Sequence, residues 1–128
     1  MAIAAPLASD RSAGQPARIT RVAIAGATGY AGQELVRILA RHPAVTLTTA
    51  MSSAATSTPR PMPALARIWD SEVVALDVDR LVASADIVFL ALPEAASAEL
   101  APKLVERGVR VIDLSGAFRI RDAADRQR

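Results

Sequence analysis

The sequence predicts an α/β fold, a parallel sheet covered by helices on both faces, and three observations carry that prediction. Short, wholly apolar runs stand at Val22 to Ala25 and Ile87 to Leu92, the pattern of strands buried on both faces, and Val109 to Leu114 reads as a further strand, interrupted by Arg110 and Asp113. Segments of helical period separate them. The first run opens directly into a glycine-spaced turn, Gly26 to Gly32. Parallel strands need crossover connections, and strand–helix–strand occurs twice along the chain.

The elements follow in order. Residues 1–20 are rich in Ala, Ser, Pro and Gly without a period, and are expected to form a disordered leader ahead of a single domain over 21–128. A helix is expected from Tyr30 to Arg41, with Ala31, Leu35, Ile38 and Leu39 facing inward and Pro43 ending it. Val45 to Met51 reads as a second strand. Ser52 to Pro63 is a loop of Ser, Thr and Pro, Ala64 to Trp69 is ambiguous, and Glu72 to Leu76 reads as a short edge strand. Asp77 or Asp79 is placed to cap a brief helix through Val82. Pro93 stops the Ile87 strand. A helix from Ala95 to Arg107 turns Leu100, Leu104 and Val105 inward and closes at Gly108. Beyond Ser115 the chain reads as loop, with a helix beginning near Asp122.

Composition excludes several classes of function. The 128 residues are 52% hydrophobic but only 3% aromatic, so the core is built from Ala, Val, Leu and Ile. There is no cysteine, hence no disulfide, thiolate metal site or cysteine nucleophile within these residues. His42 is the only histidine and Lys103 the only lysine. The net charge is +2 and the arginines are dispersed without interleaved aromatics, which argues against a nucleic-acid partner. No apolar run approaches the ~18 residues that span a bilayer. Met1 to Leu7 is cut short by Asp10 and Arg11, a poor secretory signal, so a cytoplasmic protein is expected.

Gly26-Ala27-Thr28-Gly29-Tyr30-Ala31-Gly32 lies between the first strand and the first helix. Gly26 permits the tight turn, Gly29 lets the backbone approach a pyrophosphate, and Gly32 lets the helix pack close to the sheet. The helix start then offers unpaired amides and the positive end of its dipole to phosphate. The spacing is Gly-x-x-Gly-x-x-Gly, and its position at a strand-to-helix junction matters more than the letters. An NAD-binding unit of this Rossmann-like kind carries Asp or Glu at the end of its second strand for the ribose 2′-hydroxyl. Here that stretch is Thr48-Thr49-Ala50-Met51-Ser52-Ser53. Small hydroxyls suit a 2′-phosphate, and Arg60 in the following loop is available to neutralise it, which favours NADP over NAD. The alternative is that Ser52 to Thr58 is a solvated loop and Arg60 a surface charge.

A second region follows the later strands, where open α/β sheets bind ligands. Leu92-Pro93-Glu94 ends one strand and Asp113-Leu114-Ser115-Gly116-Ala117-Phe118-Arg119 the next. Arg119 suits a bidentate grip on phosphate, or equally an ion pair with Asp113 or Asp122. Glu94 reads as a helix-start residue, Tyr30 and Trp69 as packing residues, and His42 as a partner of a helix C-terminus.

Three blocks in this order resemble the amino-terminal domain of the N-acetyl-gamma-glutamyl-phosphate reductases, in the semialdehyde dehydrogenase superfamily. They are Val22 to Pro43 with its glycine turn, Val88 to Pro93 followed by Ala96-Ser97 and Leu100-Ala101-Pro102, and Val111 to Arg119. The resemblance implies NADPH-dependent reduction of an acyl phosphate to a semialdehyde with release of phosphate, in arginine biosynthesis. It implies that Gly26, Ala27, Thr28, Gly29, Tyr30, Ala31 and Gly32 hold the NADP pyrophosphate, and that Ser52 and Ser53 lie near the 2′-phosphate. Leu92 and Pro93 would flank the dinucleotide and Arg119 would grip the substrate phosphate. In such enzymes a cysteine attacks the acyl phosphate and a histidine is the acid/base. Relatives carry that cysteine further along, in a region that this sequence does not reach, and it does not reach the family's second α+β domain either, so binding without turnover is expected, and a homo-oligomer only for the full-length relative. Many relatives also have His after Leu-Pro where this chain has Glu94.

Other readings share the opening turn. An aspartate-semialdehyde dehydrogenase fragment has the same fold and chemistry, but Tyr30-Ala31 and the Asp113 to Arg119 block favour the first family. A short-chain reductase needs Tyr-x-x-x-Lys, and four residues after Tyr30 stands Glu34. A non-catalytic NADP-binding or sensor module remains the alternative of a different class.

Overall fold

The strand that leads into the glycine turn is also the centre of the sheet. The structure, a computed structural model, describes residues 18–119. Most of the expected leader, the expected helix near Asp122 and the Asp122 partner of Arg119 lie outside the described residues. Within them, β1 (Thr20–Ala25) pairs in parallel with β2 (Val45–Met51) on one side and β3 (Ile87–Leu90) on the other, and β4 (Arg110–Asp113) pairs in parallel with β3. The order is β2-β1-β3-β4. The crossovers are α1 (Tyr30–Ala40), α2 (Val78–Ser84) and α3 (Glu94–Glu106), with one 3-10 turn at Pro63–Leu65.

Alternation along β1 shows that the sheet is covered on both sides. Val22 and Ile24 pack with Val36 and Leu39 of α1 and with Leu65 and Val73. Ala23 and Ala25 face the other way, toward Leu81 of α2 and Leu100, Ala101 and Leu104 of α3. Four consecutive buried residues, Val22 to Ala25, are therefore required of this strand, as a doubly covered parallel sheet demands. The expected doubly wound parallel architecture is what forms. β1 and β2 slip register between Val22 and Ala23, where Thr48 is the extra residue. Its hydroxyl lies 3.1 Å from the Val22 carbonyl and 2.9 Å from that of Ser84, so the bulge is held to the end of α2.

Several elements differ from the sequence reading in detail. α1 buries Gly32, Val36 and Leu39, whereas Ile38 is 61% exposed and Ala31 also faces solvent. The inward stripe begins at the glycine because a side chain at position 32 would collide with the Gly26 carbonyl; the helix rests on the sheet through that point. α3 likewise buries Ser97, Leu100, Ala101 and Leu104 and turns Val105 outward. Pro102 is inside α3 but on its exposed side, so the carbonyl it leaves without an amide, that of exposed Ala98, remains in water. β3 ends at Leu90 rather than Leu92, and β4 spans Arg110–Asp113 rather than Val109 to Leu114. The expected edge strand at Glu72 to Leu76 is reduced to two bridges, Met51 with Val74 in parallel and Arg60 with Val73 antiparallel. Asp77 caps α2, accepting from the Arg80 amide at 3.2 Å, and Gly108 follows α3 at φ +84°, both as expected.

The amino edge of the sheet is tied by charge. Asp86, just before β3, accepts from the Arg21 amide at 3.0 Å and the Arg21 guanidinium at 3.1 Å, with Arg18 at 3.3 Å. The side-chain hydrogen bond from Arg21 is the main force holding its carboxyl below the usual carboxylate value of 3.8; the Arg21 amide and the charges of Arg21 and Arg18 add to it against the opposing cost of burial. A depressed folded-state pKa contributes stability above the unfolded value and loses it as the pH falls through the folded one. Asp86→Asn is therefore expected to lower stability at neutral pH, and its deficit relative to the native chain to shrink as the pH falls from about 5 toward about 3. Denaturant titrations of both proteins across that range check this; a deficit independent of pH contradicts it.

Ser97 is wholly buried and its hydroxyl has no hydrogen-bond partner. A buried, unpaired hydroxyl is unfavourable by about 1 kcal/mol or more. Ser97→Ala is expected to raise the thermal midpoint by a few degrees; a lowered midpoint in calorimetry would show that the hydroxyl is satisfied.

Candidate functional site

The candidate site is the carboxyl edge of the sheet, at the junction of β1 and β3. From β1 the chain passes through α1 to β2 on one side, then returns to β3 on the other. Crossovers leaving in opposite directions open a crevice at this point, and open α/β sheets bind ligands there.

Gly26 makes the turn possible. It has φ +90°, and a Cβ there would collide with the Ala91 carbonyl at the end of β3. The amides of Gly26 and Ala27 both donate to the Met51 carbonyl, at 2.8 and 2.9 Å, which locks the turn to the end of β2. Neither Ala91 nor Met51 was marked by sequence, because their backbone carbonyls act and a carbonyl leaves no residue-type signal.

Gly29 behaves differently. It caps α1 in extended conformation, φ −79° and ψ 172°, and an added Cβ would find its nearest neighbour, the Gly26 carbonyl, at 3.9 Å. No internal packing forbids a side chain at Gly29; the space beside its Cα is open to a ligand. The amides of Thr28, Tyr30, Ala31 and Gly32 find no acceptor among the described residues. The first turn of α1 carries no acidic residue, so nothing there repels an anion drawn to the helix dipole. Gln33 Nε2 donates to the Thr28 carbonyl at 3.0 Å and holds the loop in shape. Tyr30 is 96% exposed, against the expectation that it packs: as the first residue of α1 it points away from both helix and sheet. Trp69 does pack, against the cluster that includes Leu65.

The remaining candidates sit around this edge. Leu92 is buried and Pro93, the N-cap of α3, is exposed. Ser52 is buried; its amide donates to the Val74 carbonyl at 2.9 Å, and its hydroxyl donates to the Ala54 carbonyl at 3.0 Å and meets that of Ser57. Ser53 is exposed. The loop after β4 is fixed by Asp113, which accepts from the Ser115 amide at 3.0 Å and hydroxyl at 2.8 Å. Glu94 seats its carboxylate where a Gly116 side chain would stand, with the Arg119 Cδ 3.8 Å from the same point. Arg119 is exposed and forms no ion pair among the described residues. Its pairing with Asp113 does not form. A cavity of ≈ 360 Å³ lined by Thr48, Thr49, Trp69, Glu72, Val74 and Arg80 includes no residue of the glycine turn. No group of metal-ligating residues occurs among the described residues.

Comparison with known proteins identifies the family. The family described as "Semialdehyde dehydrogenase, NAD binding domain" matches residues 21–125. The chain belongs to this family. The N-acetyl-gamma-glutamyl-phosphate reductase of Brevibacillus brevis is 43% identical over 108 residues, 83% of this chain and 31% of the relative. That of Halorhodospira halophila is 45% identical over 105 residues, 80% of this chain and 30% of the relative. The chain thus spans about three-tenths of the length of the curated relatives it matches. Among solved structures, aspartate semialdehyde dehydrogenase with NADP from Candida albicans superposes with a TM-score of 0.65 at 19% identity, covering 80% of this chain and 31% of that one. Aspartate semialdehyde dehydrogenase II of Vibrio cholerae gives 0.62 at 25% identity, covering 81% and 30%. These likenesses support the fold. No helix among the described residues is long and apolar enough to cross a membrane.

The three glycines of the turn are expected to differ on substitution. Gly26→Ala and Gly32→Ala force a side chain into backbone and should cost more than about 3 kcal/mol, enough to unfold a marginal domain. Gly29→Ala should cost no more than about 1 kcal/mol, the scale of a poorer N-cap. Thermal melts of the three variants check the order; a Gly29→Ala protein as unstable as the others contradicts the open space beside its Cα.

Proposed function

We propose that this chain is the dinucleotide-binding portion of an N-acetyl-gamma-glutamyl-phosphate reductase, and that its ligand is NADP(H). The observation that carries the proposal is the set of unmet amides from Thr28 to Gly32, gathered over the crevice beside a glycine whose Cα faces open space. Amides that end a β1 turn and begin a helix are the groups that hold a pyrophosphate. When bound, the nicotinamide supplies or accepts a hydride; the protein's part is to place it. Gly26 and Gly32 hold the turn rigid, Gly29 admits the phosphates, and Leu92 and Pro93 border the crevice.

The preference for the phosphorylated dinucleotide rests on what is missing at the end of β2. Met51 is followed by Ser52, Ser53 and Ala54, with no carboxylate to accept from a ribose 2′-hydroxyl or to repel a 2′-phosphate. The substrate reading, reduction of N-acetyl-γ-glutamyl phosphate in arginine biosynthesis, rests on the relatives at 43% and 45% identity. It is favoured over aspartate semialdehyde dehydrogenase, whose structures stand at 19% and 25%. Arg119, exposed beyond β4, is the group proposed to hold the substrate phosphate. Because the 128 residues include no cysteine, the proposed thiol nucleophile does not come from them, and the chain alone is proposed to bind without turnover.

Calorimetric titration with NADPH tests the reading. The native chain is expected to bind NADPH more tightly than NADH, and Gly29→Ala to remain folded while losing at least tenfold in affinity, about 1.4 kcal/mol. Folded native protein that binds neither dinucleotide, or a Gly29→Ala variant that binds as well as the native chain, would overturn it.

A further inference from the structure

We infer that Arg60 is the residue that selects the 2′-phosphorylated dinucleotide, and that Ser52 shapes the loop around it without touching the ligand. The inference rests on the dinucleotide reading above and deepens it at the adenosine end.

At the carboxyl edge the backbone forms one continuous row. It runs from Ala91, whose amide donates to the Ala25 carbonyl at 2.8 Å, through Gly26 to Met51 at 2.8 Å. Beyond β2 the row does not stop. The Val74 amide donates to the Ala50 carbonyl at 3.1 Å and the Ser52 amide to the Val74 carbonyl at 2.9 Å. Successive residues of an extended segment point their backbone groups to opposite edges. Val73 therefore faces outward, and there it exchanges two hydrogen bonds with Arg60, at 3.1 and 2.8 Å. Arg60 is thus pinned at the outer end of the row, level with the last residue of β2. It lies two strand spacings from β2, roughly 10 Å.

This arrangement answers what the loop after β2 is for. Its start at Ser52 and its end at Arg60 are clipped to adjacent residues, Val74 and Val73, and the Leu76 amide holds its middle through the Ala54 carbonyl at 3.1 Å. The Arg60 backbone is therefore as well placed as a strand residue, although it lies in a loop. Its side chain is exposed and forms no ion pair or hydrogen bond among the described residues. A dinucleotide with its pyrophosphate over Gly29 lays its adenosine toward β2. The 2′-phosphate then projects along the row toward Arg60, whose side chain is long enough to cover much of the interval and carries a planar fork of donors. Ser52 is unsuited to the same task, since its amide is engaged by the Val74 carbonyl and its hydroxyl inside the loop by Ala54 and Ser57.

The test is the ratio of NADPH to NADH affinity, measured by calorimetry on the native chain and on Arg60→Ala, Arg60→Lys and Ser52→Ala. Loss of one charge-assisted grip is expected to weaken NADPH binding by Arg60→Ala about tenfold or more, with NADH unchanged within about twofold. Arg60→Lys should fall between, keeping the charge without the fork. Ser52→Ala should leave the ratio as it was. The inference is overturned if Arg60→Ala weakens both dinucleotides alike or leaves the ratio intact, or if Ser52→Ala abolishes it. A native chain that prefers NADPH while Arg60→Ala keeps that preference removes only this inference. A folded native chain that binds neither dinucleotide removes the dinucleotide reading and this one with it.

Discussion

The rest of the structure depends on the approach of backbone to backbone around the glycine turn. Gly26 lies against the Ala91 carbonyl, and Gly32 of the first helix lies against Gly26 in turn. Side chains at either position would push helix from sheet, and with it Val36 and Leu39 from Val22 and Ile24. Packing at native density leaves no slack for such a shift. One contact therefore sets the height of α1 above the sheet, the direction in which its first amides point, and the width of the crevice between β1 and β3.

The two edges of the sheet divide stability from function. At the amino edge the polar groups are matched: Asp86 gathers Arg21 and Arg18, and the Arg110 amide donates to its carbonyl at 3.1 Å. At the carboxyl edge the amides opening α1 are unmatched, and the glycine beside them is not required by internal packing. Polar groups left unpaired at a structured turn are a standing cost unless water or a ligand meets them. An anion spread over several oxygens meets them best.

Most of the fold was legible because burial on both faces writes itself into sequence as unbroken apolar runs. Val22 to Ala25 was placed by that signal, Val45 to Met51 by its β-branched residues, and Asp77 by its capping chemistry. Strand ends were less legible, because Ala91 and Leu114 keep their backbone bonds to Ala25 and Leu90, at 2.8 and 2.9 Å, after regular strand has ended. The inward faces of α1 and α3 were read in part: Leu39, Leu100 and Leu104 are buried as expected, whereas Ala31, Ile38 and Val105 are exposed. Hydrophobicity alone ranks Ile38 and Val105 as core, whereas the stripe of α1 is set by the close approach at Gly32 and that of α3 runs through the small residues Ser97 and Ala101. Tyr30 was misread for a related reason: an aromatic at a helix start has no neighbour to pack on when the turn before it is glycine.

The site was legible where residue type carries the chemistry and illegible where the backbone does. The glycines and the acid-free end of β2 could be read directly. The carbonyls of Met51 and Ala91, the seat of Glu94 on Gly116 and the clipping of Ser52 and Arg60 to Val74 and Val73 could not, since each depends on which segments the fold makes neighbours. The central claim, that the amides opening α1 receive the phosphates, is tested most directly by following the backbone amide resonances of the native chain during titration with NADPH. The account predicts that Thr28, Tyr30, Ala31 and Gly32 shift first and furthest. Shifts confined to the cavity around Thr48, Trp69 and Arg80, with the turn unmoved, would contradict it.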